Sequence, residues 1–154
     1  MTLALVLAAA PMASAQELSG DLSTLATAQH YLDAYAALDV DRLATLYAED
    51  AVFSDPTSAQ VEGIGGPFAW QGRDAILTAL RNWSRSIRTL NYEVERVYES
   101  SGHVVFIGAV YPEVESPDGL VRYRYPIVTI VTIEDGLVTG HLDYTDYASG
   151  ARAP

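Results

Sequence analysis

The chain has 154 residues, 49% of them apolar and 19% charged, which is the composition of a globular domain with its own core and excludes disordered and collagen-like chains. Twenty acidic side chains against nine basic ones give a net charge of -11, so nucleic acid is not an expected partner. There is no cysteine, which excludes disulfides, thiol nucleophiles and cysteine-ligated zinc.

The first sixteen residues are uncharged. An apolar stretch over residues 3–10, then Pro11, then the small-x-small site Ala13-Ser14-Ala15, predicts a signal peptide over residues 1–15 that is cut after Ala15. The basic residue that ordinarily opens such a leader is missing. The stretch is too short to span a bilayer, so the expectation is one domain over residues 16–154, periplasmic or secreted, with no membrane contact after export.

Residues 23–38 place Leu25, Ala28, Tyr31, Leu32, Tyr35 and Leu38 at spacings of three and four, which predicts an amphipathic helix. Asp39 is an N-cap for a second helix carrying Leu43, Leu46 and Tyr47 and ending at Glu49-Asp50. A short strand follows over residues 51–56 and stops at Pro56. Residues 57–72 read as a Gly-rich loop, yet Phe68 and Trp70 sit where such a loop is ordinarily polar, so it covers something apolar. The stripe Ile76, Leu80, Trp83, Ile87 predicts a third helix over residues 73–87.

The period then changes. Residues 92–98, 103–111, 121–133 and 137–147 alternate or are rich in β-branched side chains, and they predict four strands. The links at residues 100–102, 116–119 and 134–136 have turn chemistry, so neighbouring strands form antiparallel hairpins. Helices set apart from an antiparallel sheet define an α+β fold.

Within this order of elements, Ala28-Gln29-His30-Tyr31, the run from Leu46-Tyr47-Ala48 through Phe53-Ser54-Asp55-Pro56, and His141-Leu142-Asp143-Tyr144 resemble the nuclear transport factor two-like superfamily. The nearest shapes within it are the SnoaL-like proteins, ketosteroid isomerase and limonene epoxide hydrolase. The resemblance spans roughly residues 22–147 and marks fold better than activity. It implies a cystatin-like cone, with helices packed in a curved antiparallel sheet, an apolar pocket at one end and pairing through the sheet as a homodimer.

Carried over, Tyr31 is similar to the isomerase tyrosine that donates to a developing enolate, and Asp55 to the aspartate that moves the proton. Where the isomerase has a second acid donor after Pro-Ile, this chain reads Pro126-Ile127-Val128, and Val128 cannot donate. Losing one such donor costs a factor of roughly 100 to 1000. Asp143 resembles a catalytic aspartate of the hydrolase motif Trp-x-Asp-Tyr, whereas the hydrolase Arg-x-Asp pair has no counterpart in residues 105–111.

Each candidate has a structural reading beside the functional one. Asp55 before Pro56 is the composition of a turn; Tyr31 on an apolar helix face is the composition of a core; His141 and Asp143 share one strand face and form either a tuned pair or a surface pair. His141-x-Asp143 with His30 or His103 meets the residue count of an iron site, but the third ligand has no motif around it. There is no phosphate-binding loop and no Gly-x-Ser-x-Gly elbow, and no metal or cofactor is expected.

The resulting expectation is a small apolar ligand held by Phe53, Phe68, Trp70, Trp83 and Val128, with Tyr31, Asp55, His141 and Asp143 as polar groups. Period two puts Arg124 on the face of Val128, so Arg124 is expected at the pocket mouth, meeting Asp143. The chemistry is cofactor-free isomerisation, cyclisation or hydrolysis by Asp and Tyr. The alternative is a non-catalytic ligand-binding or dimerisation module.

Overall fold

The computed structural model describes residues 15–61, 66–117 and 119–154. The expected leader, apart from Ala15, lies outside the described residues, as do Gly63 and Gly65 of the loop. Among the described residues the elements run α1 (Ala15–Ala36), α2 (Val40–Leu46), β1 (Tyr47–Asp55), a 3-10 turn (Pro56–Gln60), β2 (Phe68–Gln71), α3 (Arg73–Trp83), β3 (Ile87–Thr89), β4 (Tyr92–Ser100), β5 (His103–Val110), β6 (Glu113–Ser116), β7 (Gly119–Glu134), β8 (Leu137–Thr145), a second 3-10 turn (Tyr147–Ser149) and β9 (Ala151–Arg152). The fold is α+β.

The main sheet has the order β2-β1-β8-β7-β5-β4, is curved, and does not close. Every pairing is antiparallel except β1 with β8, which run parallel because the helical and hairpin elements between them return the chain to the same end. β7 is long enough to carry β5 and β8 along one part of its length and β6 and β9 along the rest. The helices cover one face: α1 packs on β5, β7 and β8, and α3 packs on β1. Buried Ala28, Tyr31, Leu32, Ala34 and Tyr35 are the α1 contribution to the core, at the three-and-four spacing of its apolar stripe.

Asp39 caps α2 as expected, its Oδ1 accepting from Arg42 N at 3.1 Å. The second helix is shorter than its periodicity predicts. It stops at Leu46, and Tyr47 is already extended and paired with Val138, because burying both Tyr47 and Ala48 while exposing Glu49 and Asp50 suits an irregular strand better than a helix face. The third helix likewise ends at Trp83, and Ile87 joins β3 against β6. The apolar loop residues Phe68 and Trp70 form β2, antiparallel to β1.

Gly108 is fixed by a close approach of backbone. Val94 pairs with Gly108 and Arg96 with Ile107, so β4 holds one extra residue there, and a Cβ on Gly108 would stand 1.9 Å from the Glu93 carbonyl oxygen. Gly108→Ala is expected to destabilise the chain by about 1–3 kcal/mol, since the bulge must shift to admit a methyl group. A urea melt with an unchanged midpoint would show that the bulge yields freely.

Candidate active site

Three strands deliver the polar groups to the concave face. The inward positions of β8 are His141, Asp143 and Thr145; β7 contributes Thr129, and β1 ends inward on Asp55. Phe53 stands beside His141 and Ser54 beside Leu142 in the parallel ladder, so one step further Asp55 flanks Asp143. These groups are almost wholly buried, with Asp55 3% and Asp143 4% exposed, and each therefore needs partners within the protein.

Asp143 Oδ1 accepts from Thr129 Oγ1 at 2.5 Å. Its Oδ2 lies 2.9 Å from His141 Nε2, within ion-pair range. The ring N–H direction does not meet that oxygen, so Nε2 makes no hydrogen bond among the described residues. On the other side of the ring, Nδ1 lies 2.6 Å from Tyr31 Oη, and Tyr31 Oη is in short contact with Tyr47 Oη. With a neutral imidazole, Tyr47 donates to Tyr31, Tyr31 donates to Nδ1, and the ring proton sits on Nε2 beside the carboxylate. Phe53 stacks on the imidazole at 4.4 Å and Tyr35 lies against it at 4.7 Å, which fixes its plane.

Asp55 is bound more completely. Its Oδ1 accepts from Thr57 Oγ1 at 2.5 Å and from Ser58 N at 3.1 Å, capping the 3-10 turn; its Oδ2 accepts from Tyr147 Oη at 2.7 Å, with Thr145 Oγ1 at 3.4 Å. The turn role and the cavity-wall role are thus held by one side chain.

A cavity of about 540 Å³ opens over this cluster. Phe53, Phe68, Trp83 and Ile127 give it apolar walls, and Asp55, Asp143, Tyr35, Tyr92 and Tyr147 give it polar ones. Tyr35 is 2% exposed, makes no hydrogen bond with a described residue, and faces the cavity, so its phenol is a donor with no partner. Neither Tyr35, Tyr92, Thr129 nor Tyr147 was singled out as a polar group by sequence reading; for Tyr35 the signal was present, since it lies four residues after Tyr31 on the same helix face.

Other expected positions are corrected. Tyr31 and His141 do not line the cavity but stand behind Asp143. Trp70 packs on Phe53 and Phe68 at 5.1 and 5.5 Å and faces an open groove along α3 instead. Val128 belongs to the outward set of β7, because Ile127 and Thr129 take the inward positions. Arg124 is also outward; its Nε donates to Tyr111 Oη at 3.2 Å and makes no contact with Asp143. His30 and His103 are exposed, and among the described residues no three His, Asp or Glu side chains gather as a metal site.

Burial pushes the phenols of Tyr31, Tyr35 and Tyr47 well above their ordinary range, and the charge of Asp143 adds to each rise. The folded chain therefore holds these protons after the unfolded chain, titrating near pH 10, has lost them. Their stabilising effect is complete below about pH 10 and is lost as pH rises through the folded values, at roughly 1.4 kcal/mol per pH unit for each phenol. Chemical melts from pH 8 to 12 should show that fall, together with phenolate absorbance that develops only on unfolding. Ionisation of all ten tyrosines in the still-folded chain near pH 10 would contradict it.

The comparisons agree with this architecture. The SnoaL-like domain family matches residues 28–141, and the chain belongs to that family. A candidate SnoaL-like polyketide cyclase from Shewanella denitrificans OS-217 is similar in structure, with a TM-score of 0.71, 20% identity, and coverage of 82% of this chain and 92% of that one. An LEH-like epoxide hydrolase from M. tuberculosis gives 0.66 at 17% identity, covering 84% and 86%. A protein of ketosteroid isomerase-like fold from Catenulispora acidiphila DSM 44928, solved with trimethylamine, gives 0.65 at 17%, covering 80% and 87%. At these identities the likeness is one of fold. No curated protein sequence matches the chain.

Proposed function

We propose that the chain is a cofactor-free enzyme of the isomerase or cyclase kind, acting on a small, mostly apolar carbonyl compound held in the cone. The observation that carries this reading is Asp143, a carboxylate facing an apolar cavity, clamped by Thr129 and backed by a buried imidazole. Asp143 takes a proton from the carbon next to the carbonyl, the electron pair moves onto the carbonyl oxygen, and the Tyr35 phenol donates to that oxygen. The proton returns to another carbon in an isomerisation; in a cyclisation the enolate carbon bonds to a second carbonyl carbon, whose π pair moves to its oxygen, and that alkoxide takes the proton back from Asp143. Tyr31 and Tyr47 hold the imidazole rather than touching the substrate, and Asp55 anchors the two 3-10 turns beside the cavity.

The test is binding and turnover of apolar ketones by the full chain and by Ile127→Trp, which fills the cavity from one wall. The reading expects both to be lost in Ile127→Trp while its circular dichroism is kept. Binding without turnover by the unmodified chain would favour a non-catalytic ligand-binding module.

Two further parts of the reading rest on sequence and surface. The outward face of the sheet carries three rows, Arg96-Ile107-Val128-Tyr144, Tyr98-Val105-Ile130-Leu142 and His103-Thr132-Gly140-Val52, with Tyr98, Tyr144 and Val52 about half exposed. An apolar sheet face of this kind suits a second copy of the chain. Sedimentation should show a dimer, and Ile130→Glu should convert it to a monomer. Export follows from the leader pattern, and terminal sequencing of secreted protein should find Gln16 first.

A further inference from the structure

All nine basic residues of this acidic chain are arginines, and three of them, Arg122, Arg124 and Arg152, line one cleft of about 420 Å³ on the outward side of β7 and β9. Among the described residues none of the three pairs with a carboxylate; the one Arg–carboxylate pair present is Arg88 with Glu115, elsewhere. In a chain with twenty acidic groups, an unpaired arginine cluster is unexpected if its only purpose is solvation.

The cluster is also held in place. The Arg122 guanidinium lies over the Tyr111 ring at 4.6 Å, and Arg124 Nε donates to Tyr111 Oη at 3.2 Å. Tyr111 in turn donates to Glu93 Oε2 at 2.6 Å, so the one acidic side chain of the cleft is bound to the phenol, and neither it nor the Pro154 carboxyl group that also borders the cleft pairs with a guanidinium. β9 pairs Arg152 with Tyr123, between Arg122 and Arg124 in sequence, so a third arginine borders the same strand segment. Planar forks fixed by an aromatic ring and lacking a carboxylate partner are the chemistry that recognises a carboxylate or phosphate through paired N–H···O bonds.

We propose that this cleft is an oxyanion-binding site, for a carboxylate or phosphate group, separate from the cavity around Asp143. Tyr92 lines both hollows, so the oxyanion is either a free anion or the charged end of an amphiphile whose apolar part enters the cone. The site stands on the arginine geometry and does not depend on the catalytic reading.

Inorganic phosphate, titrated into the full chain at constant ionic strength, should give saturable amide shifts at Tyr111, Arg122 to Arg124 and Ala151 to Ala153. Arg122→Gln with Arg124→Gln should raise the Kd roughly tenfold or more, and exposed Arg152→Gln provides a second variant that leaves the core untouched. Arg81→Gln with Arg85→Gln, on the α3 side, should leave the Kd unchanged. A second arm uses decanoate: shifts confined to the cleft identify a free anion, whereas added shifts at Tyr35 and Thr145 identify an amphiphile. Absence of saturable shifts with both probes, or shifts that persist in the Arg122/Arg124 variant, would overturn the proposal.

Discussion

Replacing Phe53 by alanine is expected to remove about 3–5 kcal/mol of stability, out of a total of roughly 5–15 kcal/mol for a domain of this kind. Phe53 is fully buried, and its ring touches Trp70 at 5.1 Å, Trp83 at 6.0 Å, Tyr35 at 6.0 Å and the His141 imidazole at 4.4 Å. Few buried side chains here join helix, sheet and polar cluster at once. Truncation would merge the space left behind with the cavity beside it, so the walls have little reason to collapse and the upper part of that range applies. Thermal melting should fall by roughly 10–20 °C. Phe53→Leu should recover much of the loss, and a Phe53→Ala midpoint within about 2 °C of the unmodified chain would mean that the ring is not part of the core.

Asp143→Asn is expected to lower kcat on an accepted ketone by a factor of about 100 to 10,000, with KM changed far less. The amide keeps the shape and can still accept from Thr129, so the apolar walls of the cavity are intact, but it cannot take a proton. Asp55→Asn should behave differently: three close donors converge on that carboxyl, and an amide nitrogen placed among them costs stability before it costs chemistry. Equal kcat in Asp143→Asn and the unmodified chain would remove Asp143 from the proton-transfer step.

Much of the fold was legible because alternation and three-and-four spacing are local signals. The four long strands β4, β5, β7 and β8 and the capped start of α2 at Asp39 follow them directly, whereas the short β6 and β9 were not expected. Tyr47 was the harder residue. Its spacing from Leu43 fits a helix, while its pairing with Val138 depends on a strand ninety residues away in sequence, which no local pattern reports. The same limit applies to the polar cluster. His141 and Asp143 were placed on one face by period two, but the face chosen for β7 was the one of Arg124 and Val128, and the opposite face holds Thr129. Choosing between two faces of a strand that is apolar on both requires knowing which side the helices cover.

Because β7 turns Ile127, Thr129 and Val131 toward the interior and Val128, Ile130 and Thr132 toward the exterior, adjacent codons of one short gene segment address separate properties. A library that randomises the odd-numbered codons alone would vary the cavity side of the sheet, and its even-numbered counterpart would vary the outward face on which we propose a second copy pairs, so the two screens can be run independently and their winners recombined.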